Sequence, residues 1–173
     1  MLRRSTSLVG IPDLPEDYEL RQYRVDDEVA YKDLFNLGFA GDRLGHTLTH
    51  TLDDGFFVID HTASRQVVAS CVALRGSWDD GRERGILGWL IVDPSHTRLG
   101  LGTIVAAKVT NRLMEEGYSE PGLGTEDFRL TAIGIYLKLG WRPYLYMEDM
   151  DHRWRETCER LGRRLLREEC VES

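Results

Sequence analysis

The stretch Trp89-Leu-Ile-Val-Asp-Pro-Ser-His-Thr-Arg-Leu-Gly-Leu-Gly-Thr103 decides how this chain is read. An apolar run ends at Pro94, a short turn of small and basic residues follows, and Gly100 and Gly102 open a strongly helical pattern. A strand that feeds a glycine turn at a helix N-terminus is a place to bind phosphate. The first amides of the helix lack partners and carry the positive end of its dipole. Glycine lets a ligand approach the backbone closely, because no Cβ stands in the way.

Three ligands compete for such a turn, beside the plain reading that the glycines only make it tight. A dinucleotide fits Gly100-x-Gly102, but Val105 holds the third glycine position and no acidic ribose ligand follows about 20 residues on. A nucleoside triphosphate would need a Lys-Ser/Thr pair after the glycines, and none is there. A pyrophosphate of the coenzyme A type remains.

Upstream, Gly85–Val92 is nearly all apolar, as expected of a strand covered on both faces. Gly55–Asp60 and Gln66–Leu74 read as a hairpin joined by the turn Thr62–Arg65, and Gly76–Gly85 as a charged turn. Tyr18–Arg24 alternates like a strand; Asp26 and Asp27 then cap a helix whose apolar positions are Val29, Leu34, Phe35 and Leu37. Residues 38–54 read as a short helix with loops, and residues 1–16 as a loose lead-in.

Downstream, Leu101, Ile104, Val105, Val109 and Leu113 mark one helix face, which Gly117 ends. Gly122–Thr125 reads as a short strand. Asp127 caps a helix with Leu130, Ile133 and Leu137 on one face, ended by Gly140, and Trp141–Met147 reads as a last strand. From Asp151 the tail is helical, with a seam of Trp154, Cys158, Leu161 and Leu165 and the pairs Glu156–Arg160 and Glu159–Arg163. That seam is expected to pack on the same domain, a homodimer being the alternative. The order of elements gives a mixed α/β sheet in one domain over residues 1–173.

With 173 residues, 42% apolar and 29% charged, the composition is that of an ordinary globular protein. A net charge of −7 argues weakly against a nucleic-acid binder and agrees weakly with a cationic or amine substrate, and its first reading is that it keeps the protein soluble. Cys71, Cys158 and Cys170 have no Cys-x-x-Cys spacing, so reduced thiols in a cytoplasmic protein are expected, with no zinc site. No signal peptide is expected, and no segment approaches the apolar length of about 20 residues that spans a membrane. His46 and His50 have metal-ligand spacing, but no glutamate between them and no third ligand supports a metal site.

Thr97-Arg-Leu-Gly100-Leu-Gly102 resembles the Gln/Arg-x-x-Gly-x-Gly/Ala motif of the GCN5-related N-acetyltransferases, the GNAT superfamily. Arg129 followed by Ala132-x-x-x-Tyr136-x-x-x-Gly140-Trp141 resembles the superfamily's later signature of an Asn and then Ala-x-x-x-Tyr-x-x-x-Gly-Phe. Leu20–Asp27 looks like its first strand and turn, so the resemblance covers roughly residues 18 to 147. Two positions depart from the pattern: Thr97 replaces Gln or Arg, and Arg129 replaces the Asn that contacts the cofactor.

The resemblance implies a largely antiparallel central sheet with helices on both faces, the acyl-CoA N-acyltransferase fold. It implies transfer of the acetyl group of acetyl-CoA to a primary amine by direct attack. The amides of residues 98–103 would then hold the pyrophosphate: Arg98, Leu99, Gly100, Leu101, Gly102 and Thr103, with Thr97 beside them. A backbone N–H at Ile91 or Val92, freed by a bulge, would polarise the thioester carbonyl. Ala132 belongs to the cofactor side, and Arg129 has three placements open: a phosphate, a pantetheine carbonyl or solvent.

Tyr136 matches the general acid that protonates the departing thiolate, against the plain alternative of a packing tyrosine. His46, His50, Asp53, Asp54, His96 and Glu126 are candidate bases, and Trp78 and Trp141 candidate linings of an acceptor pocket. A small-molecule amine is the expected acceptor, bound by residues 36–54 and the loop Gly76–Gly85. A protein or peptide N-acetyltransferase and a non-catalytic CoA-binding regulator are the alternatives.

Overall fold

In a computed structural model, which describes residues 1–5, 7–78 and 81–172, the chain folds around a four-stranded sheet of order β1-β2-β3-β4. The strands are β1 (Tyr18–Gln22), β2 (Thr51–His61), β3 (Gln66–Ser77) and β4 (Glu83–Val92), and every neighbouring pair is antiparallel. The expected hairpin is β2–β3, longer at both ends than the alternation of its residues indicates. Two residues of the expected 76–85 turn, 79 and 80, lie outside the described residues, and strands take up most of the rest.

Each face of the sheet has its own core. On one lie α1 (Glu28–Asn36) and α2 (Leu44–His50), with Tyr31, Leu34, Phe35 and Leu44 packed on Phe56, Val58, Val72 and Ile91. On the other lie α3 (Leu101–Glu115) and α4 (Leu130–Lys138). All five apolar positions read for α3 are buried, and Gly117 ends the helix at φ +94°. In α1 the expected face is rotated: Val29 and Leu37 are exposed and Tyr31 is buried instead. Asp27 precedes α1 but turns its carboxylate backward, accepting from the Arg24 amide at 2.7 Å and from Arg21. Arg21 also binds Asp60, so this carboxylate pair ties β1, β2 and the start of α1 together.

Three further expectations change. The segment after α3 is not a strand: only Gly122 bridges, to Leu2 and to Ile86. Trp141–Met147 contributes only β5 (Tyr144–Leu145), paired in parallel with β6 (Val171–Glu172). Pro121 and Pro143 each remove an amide that a ladder would need. The gap between the two segments is filled by residues 1–3, which are no loose lead-in. Leu2 and Arg142 exchange backbone hydrogen bonds at 3.0 and 2.8 Å, and the Arg3 amide donates to Pro121. Leu2 is 1% exposed, and Arg3, also buried, gives its guanidinium to the carbonyls of Leu139, Ser5 and Ser7.

Nor does Asp127 cap α4: Arg129 holds that position, and Asp127 pairs with Arg153 at 2.8 Å. The tail helix α5 spans Met150–Arg160, and Trp154, Cys158 and, beyond its end, Leu165 enter the α3–α4 core. The seam therefore packs on the chain itself. Among the described residues the tail's arginines pair with other acids than the expected ones: Arg153 also with Asp149, Arg155 with Asp151 and Arg163 with Glu169.

Candidate active site

The site begins where the sheet stops being continuous. The Leu87 amide donates to the Gly122 carbonyl at 3.0 Å, and the Gly122 amide to the Gly85 carbonyl at 2.9 Å. Beyond that rung β4 and the segment after Gly122 separate. The opening is a cleft of about 530 Å³, walled by Leu87, Trp89 and Leu90 on one side and Gly124–Glu126 on the other. Helix α4 lines it with Ala132 from its first turn and Tyr136 from its last, and Phe39, Phe128 and Arg129 surround its mouth.

The β-bulge lies in this wall. Ser70 pairs with Ile91 and Val72 with Gly88, so Trp89 and Leu90 together oppose Cys71 alone. Trp89 has φ +54°, a conformation that costs an L-residue about 1–3 kcal/mol and that recurs at functional sites. Its indole N–H is buried without an acceptor among the described residues. The bulge thus sits two residues before the position expected. Ile91 and Val92 are paired again, opposite Ser70 and Ala69, and neither lines the cleft; Ile91 is buried against the α1 face. The reason is the single extra residue of β4, which an unbroken apolar run hides.

The glycine turn forms as expected. Gly100 takes φ +81° and precedes α3, while Arg98 takes φ +64°. Among the described residues the amides of Arg98, Leu99, Gly100, Leu101 and Gly102 have no acceptor in the chain. Thr103 is different: its amide donates to the Gly100 carbonyl at 2.9 Å. The Thr97 hydroxyl donates to the Pro94 carbonyl at 3.1 Å, closing the turn. A Cβ on Gly102 would stand 3.1 Å from Ile135 Cδ1 and 3.2 Å from Val92 Cγ2. Glycine at 102 thus lets α3 begin against both β4 and α4. Five free amides around a left-handed glycine fit a pyrophosphate.

Tyr136 is 5% exposed, and its hydroxyl has no hydrogen-bond partner among the described residues. Burial pushes its phenol well above the ordinary value; the buried Cys71 thiol adds to the rise and Arg129 opposes it. Arg129 itself is partly exposed at the mouth of the cleft and makes no hydrogen bond to the glycine turn among the described residues. It pairs with Glu126, donates to the Gly38 carbonyl at 3.0 Å and lies 4.4 Å from the Phe39 ring centre.

Of the candidate bases only Glu126 lines the cleft. His46 and His50 stack on each other on the exposed face of α2, with ring centres 4.2 Å apart. Asp53 and Asp54 are exposed on β2, and His96 is held by the Tyr18 hydroxyl at 2.8 Å. Trp141 is a core residue whose Nε1 donates to the Thr110 hydroxyl. Trp78 lines a second cavity of about 710 Å³ beyond Gly124. Phe39, Trp89, Leu90 and Phe128 carry no motif. The register that brings Trp89 and Leu90 to the cleft depends on β3, which is distant in sequence.

This sheet, its bulge and the glycine turn at α3 define the acyl-CoA N-acyltransferase fold. The model of the acetyltransferase (GNAT) family matches residues 14–141, and the chain belongs to that family. No curated protein matches it in sequence. Among solved structures it is similar to an acetyltransferase of Trypanosoma brucei, with TM-score 0.57, 22% identity, and 73% of this chain and 93% of that one covered. It is also similar to glucosamine-6-phosphate N-acetyltransferase of Arabidopsis thaliana, with TM-score 0.54, 17% identity and coverages of 72% and 91%. A chain of the NatC complex bound to Gag peptide and CoA gives TM-score 0.63, 16% identity and coverages of 72% and 84%.

Proposed function

We propose that the protein, acting as one domain in the cytoplasm, is an N-acetyltransferase that moves the acetyl group of acetyl-CoA to a primary amine of a small molecule by direct attack. The observation that carries this reading is the position of Tyr136: a buried phenol with a free hydroxyl, in the same cleft as the bulge of β4.

Acetyl-CoA supplies an activated acetyl group on sulfur; the chain supplies position and protons. The amides of residues 98–102 hold the pyrophosphate at the start of α3. Ala132 and Leu90, which line the cleft, would flank the arm that carries the thioester, and a backbone amide at the Trp89–Leu90 bulge would polarise the carbonyl. The acceptor amine reacts neutral, and Glu126 passes its surplus proton to solvent at the mouth. Tyr136 gives its proton to the sulfur as the carbon–sulfur bond breaks. A thiol ionises at about 8–9 and a phenol at about 10, which alone would make the phenol the weaker acid. Burial keeps the phenol protonated and disfavours a bare thiolate beside it, so the proton crosses as the carbon–sulfur bond breaks rather than after it, and the phenol regains its proton from solvent once the product leaves.

The test is calorimetric and kinetic. CoA should raise the melting temperature by mass action, and acetyl-CoA should be consumed in the presence of small primary amines. CoA binding without transfer to any amine would make the protein a CoA-binding regulator instead. Absence of both would sink the reading.

A further inference from the structure

We infer that Arg129 is a specificity-determining residue that straps the segment after α1 across the mouth of the cleft, so that slim primary amines enter and peptides do not. The inference rests on the acetyl-transfer reading above.

Arg129 stands at the N-terminal end of α4, on one side of the mouth, and Gly38 and Phe39 stand on the other. One guanidinium joins them. Its Nη2 donates to the Gly38 carbonyl at 3.0 Å, its Nε is paired with Glu126, and its plane lies over Phe39 and, at 5.3 Å, over Phe128. Phe39 in turn packs edge-on against Trp89, with ring centres 5.1 Å apart, and at a 31° tilt against Phe35, with ring centres 5.2 Å apart. The strap therefore runs from α4 through one ring to the strained residue of the bulge.

Only a planar fork can donate in two directions while stacking on a ring; a lysine ammonium is a point charge and cannot. The Arg129 side chain is 24% exposed, so these contacts are only partly screened by water. A short side chain here would leave the mouth open between Phe39 and Glu126. With arginine, that width is taken up by protein, and an acceptor has to reach the reacting centre as a narrow chain.

The experiment uses the full chain as wild type, Arg129→Ala, Arg129→Lys and Phe39→Ala, with n-hexylamine and the tripeptide amide Ser-Ala-Ala as acceptors. Wild type should favour hexylamine in kcat/KM by about tenfold or more, and Arg129→Ala and Phe39→Ala should each lower that preference about tenfold. Arg129→Lys should fall between. The CoA dissociation constant should stay within about twofold, and amides of residues 36–40 should exchange with deuterium about tenfold faster in Arg129→Ala. Wild-type preference for the tripeptide overturns the inference. So does an unchanged preference with unchanged exchange, or a CoA affinity about tenfold weaker with the preference intact. Wild type that neither binds CoA nor acetylates either amine overturns the transfer reading; the exchange rates then judge the strap alone. Should Arg129→Ala not fold, Phe39→Ala and Arg129→Lys carry the same measurements.

Discussion

The Leu87 amide donates to the Gly122 carbonyl at 3.0 Å, and this rung is the hinge of the cleft: β4 and the following segment meet there and part beyond it. Gly122 is held there by sterics as well. A Cβ on it would stand 2.3 Å from Cζ2 of Trp78, whose ring also carries the Arg84 guanidinium at 5.0 Å. Gly122→Ala is therefore expected to destabilise the protein by about 1–3 kcal/mol, as overpacking does. A denaturant midpoint equal to wild type would show that Trp78 yields at no cost.

Gly102 is limited by Ile135 and Val92 rather than by its dihedrals, so Gly102→Val should push the start of α3 away from both. The five unpartnered amides then lose their common direction. The expected outcome is loss of the CoA-induced rise in melting temperature, with about 1–3 kcal/mol lost in stability. Differential scanning fluorimetry with and without CoA measures both. A persistent shift would place the phosphate site elsewhere.

Tyr136→Phe removes one hydroxyl that has no hydrogen-bond partner among the described residues and leaves the packed ring in place. Folding stability should change by less than about 1 kcal/mol, while kcat for acetyl transfer should fall by about 10²–10⁴. Equal kcat values for the two proteins across the accessible pH range would remove Tyr136 from the chemistry.

Stability should fail on the alkaline side. Burial raises the phenols of Tyr31 and Tyr136 and the thiol of Cys71 above their ordinary values. All three stay protonated in the fold and ionise in the unfolded chain, the thiol from about pH 8.5 and the phenols from about pH 10. The unfolded chain then holds fewer protons, so the stability is fully present below about pH 8.5 and falls as pH rises past it. Each group adds a slope approaching about 1.4 kcal/mol per pH unit. Urea midpoints between about pH 7 and 11 measure it, and Cys71→Ala should remove the earliest part of the fall. A flat profile would mean that these groups are not buried in the folded protein.

Much of the fold was legible because it was local. The face of α3 and the glycine turn each lie within one stretch of chain, where periodicity and backbone freedom act directly. The same holds for Tyr136, four residues from Ala132 on one helix. The bulge was not legible at its true place: Gly85–Val92 is apolar without alternation, so nothing in it distinguishes Leu90 from Ile91 until β3 fixes the register. Arg129 kept three placements open in the sequence because the partners it meets in the fold, Gly38 and Phe39, lie far upstream. The lead-in was misread for a related reason. Leu2 and Arg3 have no periodicity of their own, and their burial depends on a gap left by Pro121 and Pro143.

That gap gives the last expectation. Leu2 joins two segments that do not pair with each other, bridging to Gly122 on one side and Arg142 on the other. Its side chain is fully buried, so Leu2→Ala should cost about 2–5 kcal/mol through lost burial and the cavity left behind. Arg3 acts differently. Its guanidinium satisfies the carbonyls of Leu139, Ser5 and Ser7, and Arg3→Ala leaves them bare, at about 1–3 kcal/mol for each that water does not reach. Because residues 121–124 run from the hinge into the cleft wall, both substitutions should also loosen the cleft. Deuterium exchange at residues 122–126 should accelerate in Leu2→Ala more than at residues 104–113 in the middle of α3. Equal acceleration in the two stretches would mean that residues 1–3 support the whole fold evenly rather than this wall of the site.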